Sequence, residues 1–324
     1  MKALRILLLS LIAVLALLTS AAPARAQGWP AKPVTMVVGY PAGSGVVTIA
    51  RFLADALRQR TGQPFVVENR PGSFGVVGAQ YVARAARDGY TLLFAPASAA
   101  INVHLYKNLG YDPVNDLAPV VTVAGTGYVM LVNPAAVPVK SVAELTDYIK
   151  ARPGKLAYGS GAAAARVAAE LYLSLASLDV TNVPYKGVPQ ALNDLLGGQI
   201  HFMFADATLG IPQALGGKVR ALAVTTPQRI SAAPDIPTMA EAGVRTYDLA
   251  GWFAVFMPAK SPREIADKFA DLSNASITSD KAREFLAKLA ADPFPGSPDS
   301  LAKFLDAEIA KWGRLIKAAG IEQE

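Results

Sequence analysis

The chain has 324 residues, 17% charged and 52% hydrophobic, with a formal net charge of +6 and no cysteine. So weak a positive balance argues against nucleic acid as a partner, and the missing cysteines exclude disulfides, thiolate metal sites and a lipid-modified N-terminal Cys. A chain of this length buries about three quarters of its unfolded surface yet lies near the size at which one core splits into two, so two domains are expected.

At the N-terminus, Lys2 and Arg5 precede an apolar block from Ile6 to Leu18, which runs into the small-residue pattern Ala24-Arg25-Ala26. This is the pattern of a secretory signal peptide, with cleavage expected after Ala26. The block is shorter than the roughly 20 residues that span a bilayer. The later uncharged stretch from Leu117 to Val139 is interrupted by Pro119, Gly125, Gly127, Pro134 and Pro138, so no membrane span is expected. Losing the leader removes Lys2, Arg5 and Arg25 and lowers the positive balance further. A freely soluble protein of the bacterial periplasm fits better than disulfide-rich secretion.

Beyond the leader, strand-like and helical runs alternate: Val34 to Val38 then Val46 to Arg58, Pro64 to Val67 then Val76 to Arg84, and Tyr90 to Ala95 followed by a polar turn. Such alternation predicts an α/β fold with mixed, mostly parallel sheets. A second series begins near Thr126. "YVMLVNP" reads as a strand, and "SVAELTDYIKAR" as a helix opened by a capping box of Ser141 and Glu144. "KLAYGS", "AAAARVAAELYLSLAS", "VTNVPY", "PQALNDLLGG", "IHFMFAD" and "KVRALAVTT" continue it, and "GWFAVFMPA" reads as a strand that carries the chain back to the first domain. The C-terminal stretch is helical, with starts predicted at Ser261-Pro262-Arg263-Glu264 and at Ser297-Pro298 and a stop at Gly320.

The motifs exclude more than they name. Gly43-Ser44-Gly45 follows a strand and opens a helix, and Glu68 stands near the distance of a ribose-binding acid. Thr48, however, sits where a dinucleotide fingerprint needs its third Gly, so Glu68 reads as a solvated or locally paired turn residue. No Ser lies in Gly-x-Ser-x-Gly, and His104 and His201 are the only imidazoles. They read as structural, with no metal site, no cofactor and no catalytic triad predicted. Two Gly/Ser turns, at Gly43 to Gly45 and Gly159 to Gly161, present backbone N–H groups at the positive ends of helices. Such turns bind anions, though tight packing of helix on strand also accounts for either turn alone. A carboxylate held from both sides would couple ligand contacts to domain closure.

"YPAGSGVVTIAR", "VVENRPGSFGVVGA", "DGYTLL", "LYKNLGYDPVNDLAPV", "VNPAAVPVKSVAEL", "VPYKGVPQALNDLLGGQI", "LAVTTPQR" and "PDIPTMAEAGV" together resemble, in order and spacing, the solute-binding proteins of tripartite tricarboxylate transporters, the Bug family. The resemblance runs from about Trp29 to Ile321. It implies a two-domain periplasmic binding protein of the Venus flytrap, type II-like kind, without catalysis. The ligand would be a small carboxylate (a dicarboxylate, amino acid or aromatic acid), delivered by a monomer to a membrane permease. It also implies a ligand loop at Tyr40, Pro41, Ala42, Gly43 and Ser44, with Val47 and Thr48 following, a second loop at Ser160 and Gly161, and Asp206 near the cleft. Delivery to a sensing receptor, or an exported α/β enzyme acting on an acid, are the alternatives.

The departures from the family pattern bear on the ligand. The usual Pro-Ala-Gly-Gly-x-x-Asp has Ser44 for its second Gly and Val47 at the Asp position. The second loop is about two residues short, and Arg166 stands where a His is usual, four before Glu170. An inward Arg166 would favour an anion with a second charged end, whereas an outward one would pair with Glu170 along the helix. A short loop also suits a wider cleft lined by Tyr40, Val46 and Val47. The domains expected are 27–127 plus 252–324, and 128–251, with hinges near Gly127 and Gly251.

Overall fold

The computed structural model describes residues 28–245 and 247–324, and the expected leader, residues 1–26, lies outside them. Val34–Val38 (β1) is almost wholly buried and runs parallel to Phe65–Asn69 (β2) on one side and to Thr91–Pro96 (β3) on the other. A strand covered on both faces reads as a continuous apolar run, which is why "VTMVV" shows no alternation. The crossovers are Gly45–Thr61 (α1) and Val76–Ala83 (α2). Gly62 ends α1 in the left-handed conformation, φ 72°, and returns its N–H to the carbonyl of Arg58.

After β3, where the sequence predicts a polar turn, the chain forms the helix Ser98–Leu105 (α3). Its Ala99, Ala100 and Ile101 are buried, so packing recruits a segment whose local pattern is weak. Leu117–Val132 (β4) is a single strand of 16 residues, whose first half the sequence reading leaves out of regular structure. Bulges near Val120 and Val123 carry the strand past Pro119.

β4 joins two sheets. Its first half pairs antiparallel with Ala250–Pro258 (β9) and Ala291–Pro293 (β10), and β9 pairs antiparallel with β3. The second half pairs antiparallel with Phe202–Asp206 (β7) and Arg220–Val224 (β8). Beyond β7 lie Ala157–Ser160 (β5) and Thr181–Pro184 (β6), both parallel. Each lobe therefore holds three parallel strands, and β4 and β9 supply the antiparallel junction.

The second lobe's helices are Val142–Lys150 (α4), Ala163–Ala176 (α5), Val188–Leu196 (α6) and Ala207–Leu215 (α7). Ser141 caps α4 by accepting from the Glu144 amide, as predicted, although the Glu144 carboxylate reaches back to the amide of Lys140. The chain then returns through β9 to Arg263–Ile277 (α8), Asp280–Lys288 (α9) and Pro298–Ala318 (α10). Ser261 does not cap α8, because its hydroxyl donates to the Pro258 carbonyl at 2.8 Å and Pro262 takes the N-cap place. Ser297 caps α10 in a box closed by Ser300.

The core is shared between the lobes. One buried cluster runs from Val37 and Leu93 through Met130 on β4 to Val167 on α5 and Trp312 on α10. No helix among the described residues is long and apolar enough to cross a membrane.

Candidate functional site

Four helices begin at the carboxyl ends of strands and aim their N-termini at the gap between the lobes: α1 after β1, α5 after β5, α6 after β6 and α7 after β7. In open α/β sheets this edge is where ligands sit. A narrow cavity lies there. Ser44 and Val46 line it from α1, Ala162 to Ala164 from α5, Val188 from α6 and Asp206 from the start of α7. Tyr40, Pro96, Ser98, Thr126, Tyr128, Trp252 and Phe253 form the rest of the wall.

The first N–H groups of a helix have no intrahelical acceptor. At α1 and α5 no N-cap side chain covers them, because the N-cap of α5 is Ala162 and the hydroxyl of Ser44 donates instead to the Pro41 carbonyl at 2.8 Å. Both uncapped ends border the cavity, so its free donors include main-chain N–H groups backed by two helix dipoles.

The hydroxyls are differently disposed. Tyr40 donates to the carbonyl of Phe74 at 3.0 Å and Thr126 to that of Ala290 at 3.2 Å. Asp206 carries the only charge among the described residues that line the cavity. Its carboxylate accepts from the Thr208 hydroxyl, yet burial outweighs this and pushes its pKa above the ordinary carboxylate value. Burial likewise raises the phenols of Tyr40 and Tyr128, which stay neutral.

The lobes touch around this cavity. A Cβ built on Gly45 would stand 1.7 Å from Oγ1 of Thr208 and 2.3 Å from Oδ1 of Asp206. One on Gly187, at the start of α6, would stand 2.4 Å from Cγ of Pro41. Only glycine permits either approach.

Of the residues singled out by sequence, Tyr40, Ser44, Val46 and Asp206 line the cavity. Pro41 packs on Gly187, Ala42 and Gly43 are exposed at the rim, and Thr48 turns its hydroxyl to the Ser44 carbonyl. Val47 is 1% exposed within the first lobe's core. Ser160 is fully buried and donates to Oδ1 of Asn182 at 2.7 Å, while Gly161 lies against the backbone of Gly187 and Val188. Arg166 pairs with Glu324 and not with Glu170, whose carboxylate accepts from Tyr158. Glu68 pairs with Arg70 at 2.6 Å. His104 lies 2.8 Å from the carbonyl of Ile309, and His201 accepts from the amide of Ala157 at 3.0 Å.

Sequence reasoning missed Pro96, Ser98, Thr126, Tyr128, Ala162 to Ala164, Val188, Trp252 and Phe253. Their signal was positional: each lies at a strand end, at the helix start that follows one, or on a strand that crosses between lobes.

The fold defines a two-lobed α/β protein of the periplasmic binding class, with a cavity between the lobes where helices begin. Residues 49–321 match the family described as "Tripartite tricarboxylate transporter family receptor", and the chain belongs to that family. It is 34% identical over 304 residues to BugT of Bordetella pertussis, covering 93% of each chain. Among solved structures it is similar to Rpa4515 of R. palustris with adipate, at TM-score 0.89 and 36% identity, covering 91% of this chain and all of that one. MatC of Rhodopseudomonas palustris with bound malate matches at TM-score 0.83 and 27% identity, over 89% of this chain and all of that one.

Proposed function

We propose that this protein captures a small organic acid between its lobes in the periplasm and hands it, as a monomer and without catalysis, to a membrane permease of large and small subunits. One observation carries this reading: two uncapped helix N-termini, those of α1 and α5, face one cavity from opposite lobes. Carboxylate oxygens complement such N–H groups, and a ligand touching both lobes stabilises the closed form. The adipate and malate of the two neighbours support an acid as ligand.

The lobes are assigned to 27–127 plus 252–324, and 128–251. In support, Thr126 pairs with Gly251 and Gly127 with Ala250, so the two hinge points are rungs of one ladder. Tyr40, Ser44 and Asp206 are assigned to direct ligand contact, and Pro41 to Gly43 with Ser160 and Gly161 to shaping the two loops.

A thermal-shift screen of the purified protein over carboxylic and amino acids tests the reading, since binding to the folded state raises stability by RT ln(1 + [L]/Kd). A stabilising acid recovered unchanged is expected. Turnover of that acid would sink the proposal.

A further inference from the structure

The polar groups of the cleft are sorted by kind. Main-chain N–H groups at the starts of α1 and α5, with the neutral phenol of Tyr128, are its donors. Tyr40, Ser44 and Thr126 have each committed their single proton to a backbone carbonyl, so what they present to the cavity is lone pairs. Asp206 adds a carboxylate, and the described lining residues include no Lys, Arg or His to neutralise it.

A further acceptor lies behind the wall. Asn102, 2% exposed, turns Nδ2 to the carbonyl of Phe74 at 3.1 Å. That bond fixes the amide's orientation and leaves Oδ1 buried without a partner. Asn102 lines a smaller cavity that shares Tyr40, Pro96 and Ser98 with the cleft. A second carboxylate on the ligand would thus meet mainly acceptors and a like charge, with no cation among the described lining residues to hold it.

The placement is equally specific. β5 and β7 are adjacent and parallel, with Tyr158 opposite Phe202 and Gly159 opposite Met203. Continuing that register sets the start of α5 beside Asp206 at the same sheet edge. A cluster of N–H donors therefore lies next to a carboxylate, while Val46, Pro96, Val188, Trp252 and Phe253 make the remaining wall apolar.

We infer that the ligand is an α-amino acid with an apolar side chain, its carboxylate on the N-terminus of α5 at Ala163 and Ala164 and its ammonium on Asp206. This rests on the carboxylate-binding reading above and narrows it. The ammonium brings the three donors and the positive charge that the acceptor side lacks, and one tetrahedral carbon separates it from the carboxylate, as one strand spacing separates the two protein groups.

The test is titration calorimetry of the mature protein with L-leucine, L-valine and L-phenylalanine, against 4-methylpentanoate, which is leucine without its amine, and adipate. At least one of the three amino acids should bind, and for leucine the loss of the amine should cost on the order of 100-fold in affinity, as removing one partner of a buried charge pair does. Asp206→Asn should erase that difference, with its melting curve as the folding control, but the wild-type comparison stands without it. Binding of 4-methylpentanoate within tenfold of leucine, or binding of adipate with none of the amino acids, overturns the inference and leaves the carboxylate reading standing. No binding by any of the five compounds removes both.

Discussion

Gly45 on the first lobe and Asp206 on the second approach so closely that a Cβ on the glycine would come within 2.3 Å of Oδ1 of the aspartate. The contact joins the N-terminus of α1 to the one charged side chain among the described lining residues, so closure and the electrostatics of the site depend on the same pair.

Gly45→Ala is therefore expected to hold the lobes apart. The added methyl would also overlap Oγ1 of Thr208, at 1.7 Å, and overpacking of this kind costs about 1–3 kcal/mol. Affinity for whichever acid the wild type binds should fall by about tenfold or more. Small-angle scattering should show a variant that fails to compact on adding ligand. Unchanged compaction would mean that the lobes close around another axis.

Asp206→Asn should stabilise the ligand-free protein at neutral pH. Burial raises the pKa of this carboxyl above its unfolded value of 3.8, so the native state holds the proton more tightly. Its charge thus destabilises the fold increasingly as pH climbs from about 4 through the raised value, and not at all below. Melting curves across pH should show the variant ahead by about 1 kcal/mol at pH 7, a gain typical of relieving a functional site, and level with wild type near pH 3. A gap independent of pH would assign the gain to packing.

Glu308 supports the cleft wall from behind. Oε2 accepts the indole N–H of Trp252 at 2.7 Å and that of Trp312 at 2.9 Å, and all three residues are buried. Glu308→Ala would leave two buried donors without a partner and a cavity beside them, a loss of about 3 kcal/mol in urea unfolding. Glu308→Gln, which keeps an acceptor oxygen, should recover part of it.

Arg166 bonds Glu324, whose backbone is held on both sides by Leu105 and Lys107 next to α3. The pair thus ties α5 of the second lobe to the first. Its Glu324 end is open to solvent, so a double-mutant cycle with Arg166→Ala and Glu324→Ala should give a coupling of about 0.5–1 kcal/mol. Ligand affinity should shift by the same small factor for monoacids and diacids. A selective loss for diacids would bring Arg166 back to the cleft.

Elements with a strong period were legible: β1 and α1, and the capped starts of α4 and α10, follow from apolar spacing and from Ser141 and Ser297. The helix Ser98–Leu105 and the first half of β4 were not, because Ala-rich and Pro-interrupted stretches carry no period and are ordered by what packs on them. At the cleft, Ser44 was legible from its Gly/Ser turn, Val46 from the helix that follows, and Tyr40 and Asp206 from the resemblance to the family. Trp252 and Thr126 were not, since strands that cross between lobes read like any buried strand.

By itself the sequence determined the α/β class, the two anion-ready helix starts and the family to which the chain belongs, because these depend on local period, turn chemistry and ordered motifs. Only the tertiary structure decided what those turns face. It put Val47 in a core, sent Arg166 to Glu324 and left Asp206 as the charge in the cleft, since long-range packing sets the direction of each side chain. The family's usual Asp is absent at Val47, yet the assembled cleft still carries a carboxylate, Asp206, and no cation among its described lining residues.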